Sequence, residues 1–148
     1  MQYILLEDCL PEQTIIDSLL SLHNQIFHTS SASLLAEIQV KTNFLLLLAI
    51  DHHTVVGYKI GYRKKQHCFY SWLGAVHPNY RGKGIASHLM EMQHDWCVKH
   101  HYQVIQTKTK NKWRNMLILN LKHGFDIIGT YTDEKGEPKI ILEKRLNK

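Results

Sequence analysis

The residues Val76-His77-Pro78-Asn79-Tyr80-Arg81-Gly82-Lys83-Gly84-Ile85-Ala86 hold the strongest chemical signal in this chain. Gly82 and Gly84 have no Cβ, so the backbone there can turn tightly and let a ligand come close. Ile85, Leu89, Met92 and Trp96 follow at helical spacing, with Ala86, Met90 and Cys97 beside them, which predicts a helix starting at the glycines. The amides of Gly82 to Ala86 then lack intrahelical acceptors. They turn the positive end of the helix dipole toward whatever sits in the turn. Arg81 and Lys83 add two cations. That is chemistry for holding a diphosphate. Two phosphate-loop patterns do not fit. The dinucleotide fingerprint Gly-x-Gly-x-x-Gly needs a third glycine where Ser87 stands, and the nucleoside-triphosphate loop needs Ser or Thr where Gly84 stands.

Other reactive side chains carry weaker signals. His52-His53 and His100-His101 are adjacent pairs, and neighbours in a helix or strand point apart, so they chelate poorly. His88 and His94 do not have the spacing of a helical metal pair. His77, between Val76 and Pro78, reads as a turn residue. We expect no metal. Cys9, Cys68 and Cys97 are odd in number, widely spaced and without a Cys-x-x-Cys pair, which suggests a reducing cytosol. The basic stretch Thr107 to Arg114 offers only Trp113 as an aromatic, which argues against a nucleic-acid surface. It reads as a solvated loop, or as a contact for a further phosphate.

The 148 residues suit one domain, 1–148, with a core of its own. Hydrophobic residues at 44% and charged residues at 21% are ordinary for a globular protein, and the formal charge of +5 favours an anionic partner. No apolar run is long enough for a membrane span. The start, Met1 to Asp8, meets acids at once and does not read as a signal peptide. We expect a cytoplasmic protein.

The elements that must position the glycine turn follow in order. Gln2–Leu6 reads as a strand and Leu10–Phe27 as a helix, with Pro11 suited to its start. Ser30-Ser31 could cap a short helix over Ser33–Lys41. Phe44–Ile50 is continuously apolar and of strand length, so it is a strand buried on both faces. After the turn at Asp51–Thr54, Val56, Tyr58, Ile60 and Tyr62 alternate with Gly57, Lys59, Gly61 and Arg63, giving one apolar and one mixed face. Cys68–Val76 is the strand feeding the glycine turn, and Pro78 must end it. Its helix runs to near His101. Then come a strand over Tyr102–Thr109, a helix over Asn115–His123 stopped by Gly124, and strands over Phe125–Tyr131 and Lys139–Glu143.

Arg81-x-x-Gly84-x-Ala86 after a strand ending Val76-x-Pro78 resembles the coenzyme A motif of the GCN5-related N-acetyltransferases (GNAT). The β-α-α-β-β-β-α-β-α-β-β order agrees over nearly the whole chain. Gly124-Phe125 looks like that family's Gly-Phe stop after its last helix, and Gly57 stands where the family often has a glycine on the third strand. The resemblance implies an α/β (α+β) fold, with a mixed, mostly antiparallel central sheet of about seven strands flanked by about four helices. It implies acetyl-CoA as the acetyl donor, held by Arg81, Gly82, Lys83, Gly84, Ile85 and Ala86. It also implies a sheet splayed between the fourth and fifth strands, where pantetheine pairs with main chain at Gly74, Ala75 and Val76 as an added strand would. One of those amides would meet the developing oxyanion. The reaction implied is direct attack by a primary amine in a ternary complex. Its acceptor could be a small molecule or a protein amine.

Asn120 is the departure from the family pattern. Many members carry a tyrosine four residues before the Gly-Phe, as general acid to the leaving thiolate. Asn120 can hydrogen-bond a thiolate but cannot give up a proton at neutral pH. Asn111 and Asn115 are candidates for cofactor contact or for helix capping. Glu37 is the candidate base, against the alternative of a solvated surface acid. Tyr70 and Trp72 share a face of the central strand, where they line an acceptor pocket or pack in the core. With neither an acid nor a base in evidence, an acyl-CoA-binding sensor of the same fold is the second reading. The oligomeric state stays open, a homodimer included.

Overall fold

The computed structural model describes residues 1–29 and 31–146. Strands β1 (Gln2–Glu7), β2 (Phe44–Asp51), β3 (Thr54–Lys65), β4 (Cys68–Val76), β5 (Val104–Lys110), β6 (Asp126–Thr132) and β7 (Pro138–Arg145) form one sheet in the order β1-β2-β3-β4-β5-β7-β6. Among the described residues only β4 and β5 pair in parallel; the other neighbours are antiparallel. The helices are α1 (Gln13–Phe27), α2 (Ser31–Gln39), α3 (Ile85–Lys99) and α4 (Arg114–Lys122). None of the described helices is long and apolar enough to cross a membrane.

The sheet separates two cores, and β2 feeds both. Leu45, Leu47 and Ala49 pack with Ile85, Leu89 and Met90 of α3, while Leu46, Leu48 and Ile50 pack with Leu19 and Leu22 of α1 and Leu34 and Ile38 of α2. That is why β2 shows no polar alternation: side chains of period two meet apolar partners on each face. A third antiparallel strand, β3, then carries the chain to the central strand β4.

Several boundaries differ from the sequence reading. Helix α1 starts at Gln13, with Pro11 outside it and Glu12 extended at the N-cap. Asp8 explains this: its amide donates to the Phe44 carbonyl at 3.0 Å, and its carboxylate accepts the Phe44 amide at 2.8 Å. The chain is tied to the sheet there, so the next residues are used in reaching the helix. Tyr102 is a connector and not part of β5; its amide closes α3 onto the Cys97 carbonyl at 3.0 Å. The capping read for Ser30 and Ser31 lies outside the described residues and side chains. Thr107–Lys110 belongs to β5 and is no loop.

Candidate active site

The glycine turn is held from both sides. The His77 amide donates to the Val56 carbonyl at 2.8 Å, extending the β3–β4 ladder by one rung. Pro78–Tyr80 is a single 3-10 turn, capped by His77, whose Nδ1 accepts the Asn79 amide at 3.1 Å. His77 is thus a turn residue. The Tyr80 hydroxyl donates to Asp51 Oδ2 at 2.8 Å, tying the turn to the β2–β3 corner.

Gly82 and Gly84 have φ of +78° and +81°, the left-handed region that glycine enters freely. Beyond the adjoining residues, no atom of the described residues lies within 4 Å of where a Cβ would stand at either one. Gly84 is the N-cap of α3, and its carbonyl takes the His88 amide at 3.0 Å. The amides of Ile85, Ala86 and Ser87 therefore have no acceptor one turn back. The exposed Arg81 side chain donates from Nε to the Val76 carbonyl at 3.2 Å. Lys83 Nζ lies 5.3 Å from the centre of the Tyr80 ring. Both cations stand in the turn just before the free amides.

Next to this turn the sheet opens. β4 and β5 pair only from Cys68↔Val104 to Ser71↔Thr107. Beyond that fork β4 stays paired with β3 as far as Val76, and β5 stays paired with β7 as far as Lys110. Thr107 Oγ1 donates to the Ser71 carbonyl at 2.8 Å at the fork itself. Main chain at Gly74, Ala75 and Val76 thus has a strand partner on one side only. A cavity lined by Lys59, Gly74, Ala75, Val76, Ala86, Met116 and Leu119 joins this free edge to the start of α3.

Helix α4 covers the gap. Asn120 is 3% exposed and shares a helical stripe with Met116 and His123. Its carbonyl accepts the amides of Phe125 at 3.0 Å and His123 at 3.1 Å, closing the helix where Gly124 has φ of +93°. His123 Nε2 lies 3.2 Å from Ser87 Oγ, so the stripe faces α3. Asn111 and Asn115 are exposed, and neither caps α4: the N-cap is Trp113, without a side-chain bond.

Tyr70 and Trp72 lie on the opposite face, toward α1 and α2. With Tyr62 they form an edge-to-face cluster, at 5.5 Å for Tyr62–Tyr70 and 5.8 Å for Tyr62–Trp72. Lys41 Nζ sits 4.6 Å from the Tyr62 ring centre and 4.9 Å from that of Trp72. Burial first, then Tyr62 and Tyr131, push the Tyr70 hydroxyl pKa up to about 12. Glu37 is exposed on α2 and accepts a hydrogen bond from Ser33 Oγ at 3.0 Å. No bond ties it to the aromatic cluster among the described residues.

The basic stretch divides. Lys110 is bound by Asp133 at 3.0 Å and Glu137 at 3.3 Å, and Lys108 lies 5.1 Å from the Tyr131 ring centre. These lysines hold the β6–β7 hairpin to β5, so Lys110 is already occupied by carboxylates. Among the described residues no three metal-ligating side chains cluster.

Lys59 escaped the sequence reading as a site residue. It is 8% exposed, lines the cavity, and has its pKa pulled down to about 8 by burial. The available signal was a lysine between Gly57 and Gly61 on a strand flanked by apolar strands. Such a lysine has nowhere to reach solvent.

The comparisons with known proteins fit this geometry. No curated protein matches the chain. Among solved structures, the chain is similar to aminoglycoside 6'-acetyltransferase type Ii, at 18% identity, with 98% of each chain covered and a TM-score of 0.83. It is similar to an aminoglycoside 6'-N-acetyltransferase complexed with coenzyme A, at 15% identity, with 98% of each chain covered and a TM-score of 0.82. It is also similar to the ribosomal-protein-S18-alanine N-acetyltransferase from Escherichia coli, at 15% identity, with 99% of this chain and 96% of that one covered and a TM-score of 0.78. At these identities the likeness is one of fold. The model of the acetyltransferase (GNAT) family matches residues 12–125, which include the four helices, the glycine turn and the forked strands β4 and β5, and the chain belongs to that family.

Proposed function

We propose that this protein is an N-acetyltransferase that moves the acetyl group of acetyl-CoA to a primary amine by direct attack in a ternary complex. One observation carries the reading: the cavity joins the unpaired edge of β4 to the free amides at the start of α3. A long ligand with an anionic end and an amide-bearing arm matches those two features in that order.

In this reading the amides of Gly82 to Ala86 and the cations of Arg81 and Lys83 hold the diphosphate. Gly74, Ala75 and Val76 offer main chain to the pantetheine arm, and one of their amides faces the oxyanion. Acetyl-CoA supplies the activated acetyl group. Asn120 lends a hydrogen bond to the thiol end of the site, and the exposed Asn111 and Asn115 make outer cofactor contacts. The amine enters from the α1–α2 face along Tyr70 and Trp72. The Trp72 face, with that of Tyr62 beside it, already accepts the Lys41 ammonium, which supports an acceptor carrying positive charge. Glu37, solvated and without a link to that wall, is dispensable, and water takes the amine's proton. Three unpaired cysteines, two of them buried, suit a reducing compartment such as the cytosol.

A thiol-release assay with acetyl-CoA and a panel of mono-, di- and polyamines and peptide N-termini tests this. Release that depends on one acceptor class supports it. Acetyl-CoA binding without release above the hydrolytic background for any amine would contradict it, and would assign the chain to acyl-CoA sensing.

A further inference from the structure

We propose that Lys59 of β3 is the catalytic group that meets and protonates the coenzyme A thiolate as it leaves, in place of an acid on α4. This rests on the acetyltransferase reading above.

The geometry starts from strand pairing. Lys59 stands directly opposite Gly74, so their side-chain positions share a face, and that face looks toward α3 and α4. Gly74 has no side chain to block the way. A Cβ built there would lie 3.7 Å from Lys59 Cγ and 3.8 Å from Lys59 Nζ. Both stem and ammonium therefore lie across β4 at Gly74, in the direction of the gap. Met116 and Leu119 of α4 wall the same cavity. The lysine thus enters from β3 the cavity that these two α4 residues wall.

No carboxylate answers its charge among the described residues. Lys59 has neither a salt bridge nor a side-chain hydrogen bond among the described residues. The titratable groups gathered behind it are His94 of α3, Lys144 of β7 and His123 after α4. Lys144 Nζ and His94 Nδ1 are 2.9 Å apart. Lys144, Lys59 and His123 all oppose charge on His94. The carboxylate acting on Lys144 is the exposed Asp95. On the β5 side of the gap, buried Thr109 Oγ1 has no hydrogen-bond partner among the described residues. An ammonium buried without a counter-ion is costly in the resting protein. It becomes favourable when an anion arises beside it, and the thiolate is the anion this reaction creates.

The neutral amine nitrogen bonds to the acyl carbon, and the carbon–sulfur bond breaks with its electron pair on sulfur. Sulfur takes a proton from Lys59 Nζ. The former amine gives its extra proton to water, and solvent returns one to Lys59. Burial already holds the Lys59 pKa near that of a thiol, at about 8, so the transfer is nearly balanced.

The test reads the bound thiol and not only turnover. Coenzyme A is titrated in complex with wild type, Lys59→Met and Lys59→Gln, following thiolate absorbance in the ultraviolet. A nearby cation favours the thiolate, so the bound thiol should titrate about one unit or more lower in wild type than in either variant. Both variants should still bind coenzyme A and lose about 10²–10⁴-fold in turnover. Without ligand they should melt no lower than wild type, because a buried unpaired charge has been removed. Equal thiol pKa values in all three complexes would overturn the role of Lys59 and leave the acetyltransferase reading standing. Failure of wild type to bind coenzyme A would remove that reading, and this inference with it.

Discussion

Asn120 shows how one residue changes the chemistry expected of a site. A tyrosine there would offer a proton; an amide offers only a hydrogen bond. Asn120→Ala should therefore lower turnover by less than the roughly 10²–10⁴-fold that follows loss of a general acid. Steady-state rates at saturating acetyl-CoA check this, and a larger loss with unchanged cofactor affinity would make Asn120 the acid. Glu37→Gln should leave transfer nearly intact; abolished transfer with cofactor binding preserved would make Glu37 the base. The glycine turn and Asn120 were legible in the sequence because their meaning is local: a φ, a charge, an amide at one helical position. Lys59 was not. A lysine on a strand reads as solvated, and its burial depends on Gly74 across the ladder and on α4 above it.

At the scale of elements, α3 is the part whose placement matters most, because its first turn presents the free amides. Gly57 sets that placement. A Cβ there would stand 2.9 Å from Ile85 Cγ2, closer than such atoms approach, so α3 rests directly on β3 backbone. Gly57→Ala should push the start of α3 outward. Overpacking of this kind costs about 1–3 kcal/mol. Urea melts should show that loss, and calorimetry should show weaker acetyl-CoA binding even though residue 57 touches no ligand. Lost stability with unchanged affinity would show that the α3 amides do not need this registration. Element boundaries were legible where periodicity alone decides, as in β2, whose residues are apolar on both faces. They were misread at Pro11 and Tyr102, where the Asp8–Phe44 pair and the Tyr102–Cys97 bond decide. Those are tertiary contacts that spacing does not reveal.

The whole molecule pays for its polar interior through pH. His94, in the core behind the gap, is held down to a pKa of about 3, first by burial and then by Lys144, Lys59 and His123. Its folded value lies below its unfolded value, so the unfolded chain takes up the proton first. The stabilisation is complete above about pH 6.5 and is lost as pH falls toward the folded value. Buried His23, also lowered by burial, acts in the same direction. Between about pH 7.5 and about pH 5, wild type should lose roughly 2 kcal/mol through His94. His94→Gln should flatten most of that slope in denaturant melts. An equal slope in the variant would show that His94 titrates normally. The strand order and the fork were within reach of the sequence only through family resemblance, since pairing between β4 and β5 leaves no local mark on either strand.

The central claim is that the glycine turn and the forked sheet form one coenzyme A site, and thermal melting with acetyl-CoA tests it most directly. At about a hundredfold excess over the dissociation constant, binding should stabilise the fold by about 2.7 kcal/mol. For a domain of this size that is a rise in Tm of roughly 5–10 °C. Gly84→Val should abolish most of the rise, because a β-branched residue resists a φ of +81° and fills the open space at the start of α3. Arg81→Ala should reduce the rise, and the difference from wild type should shrink with added salt. Lys135→Ala, in the distant β6–β7 turn, should change nothing. A wild-type curve unmoved by acetyl-CoA, or a Gly84→Val curve that moves as far as wild type, would contradict the account.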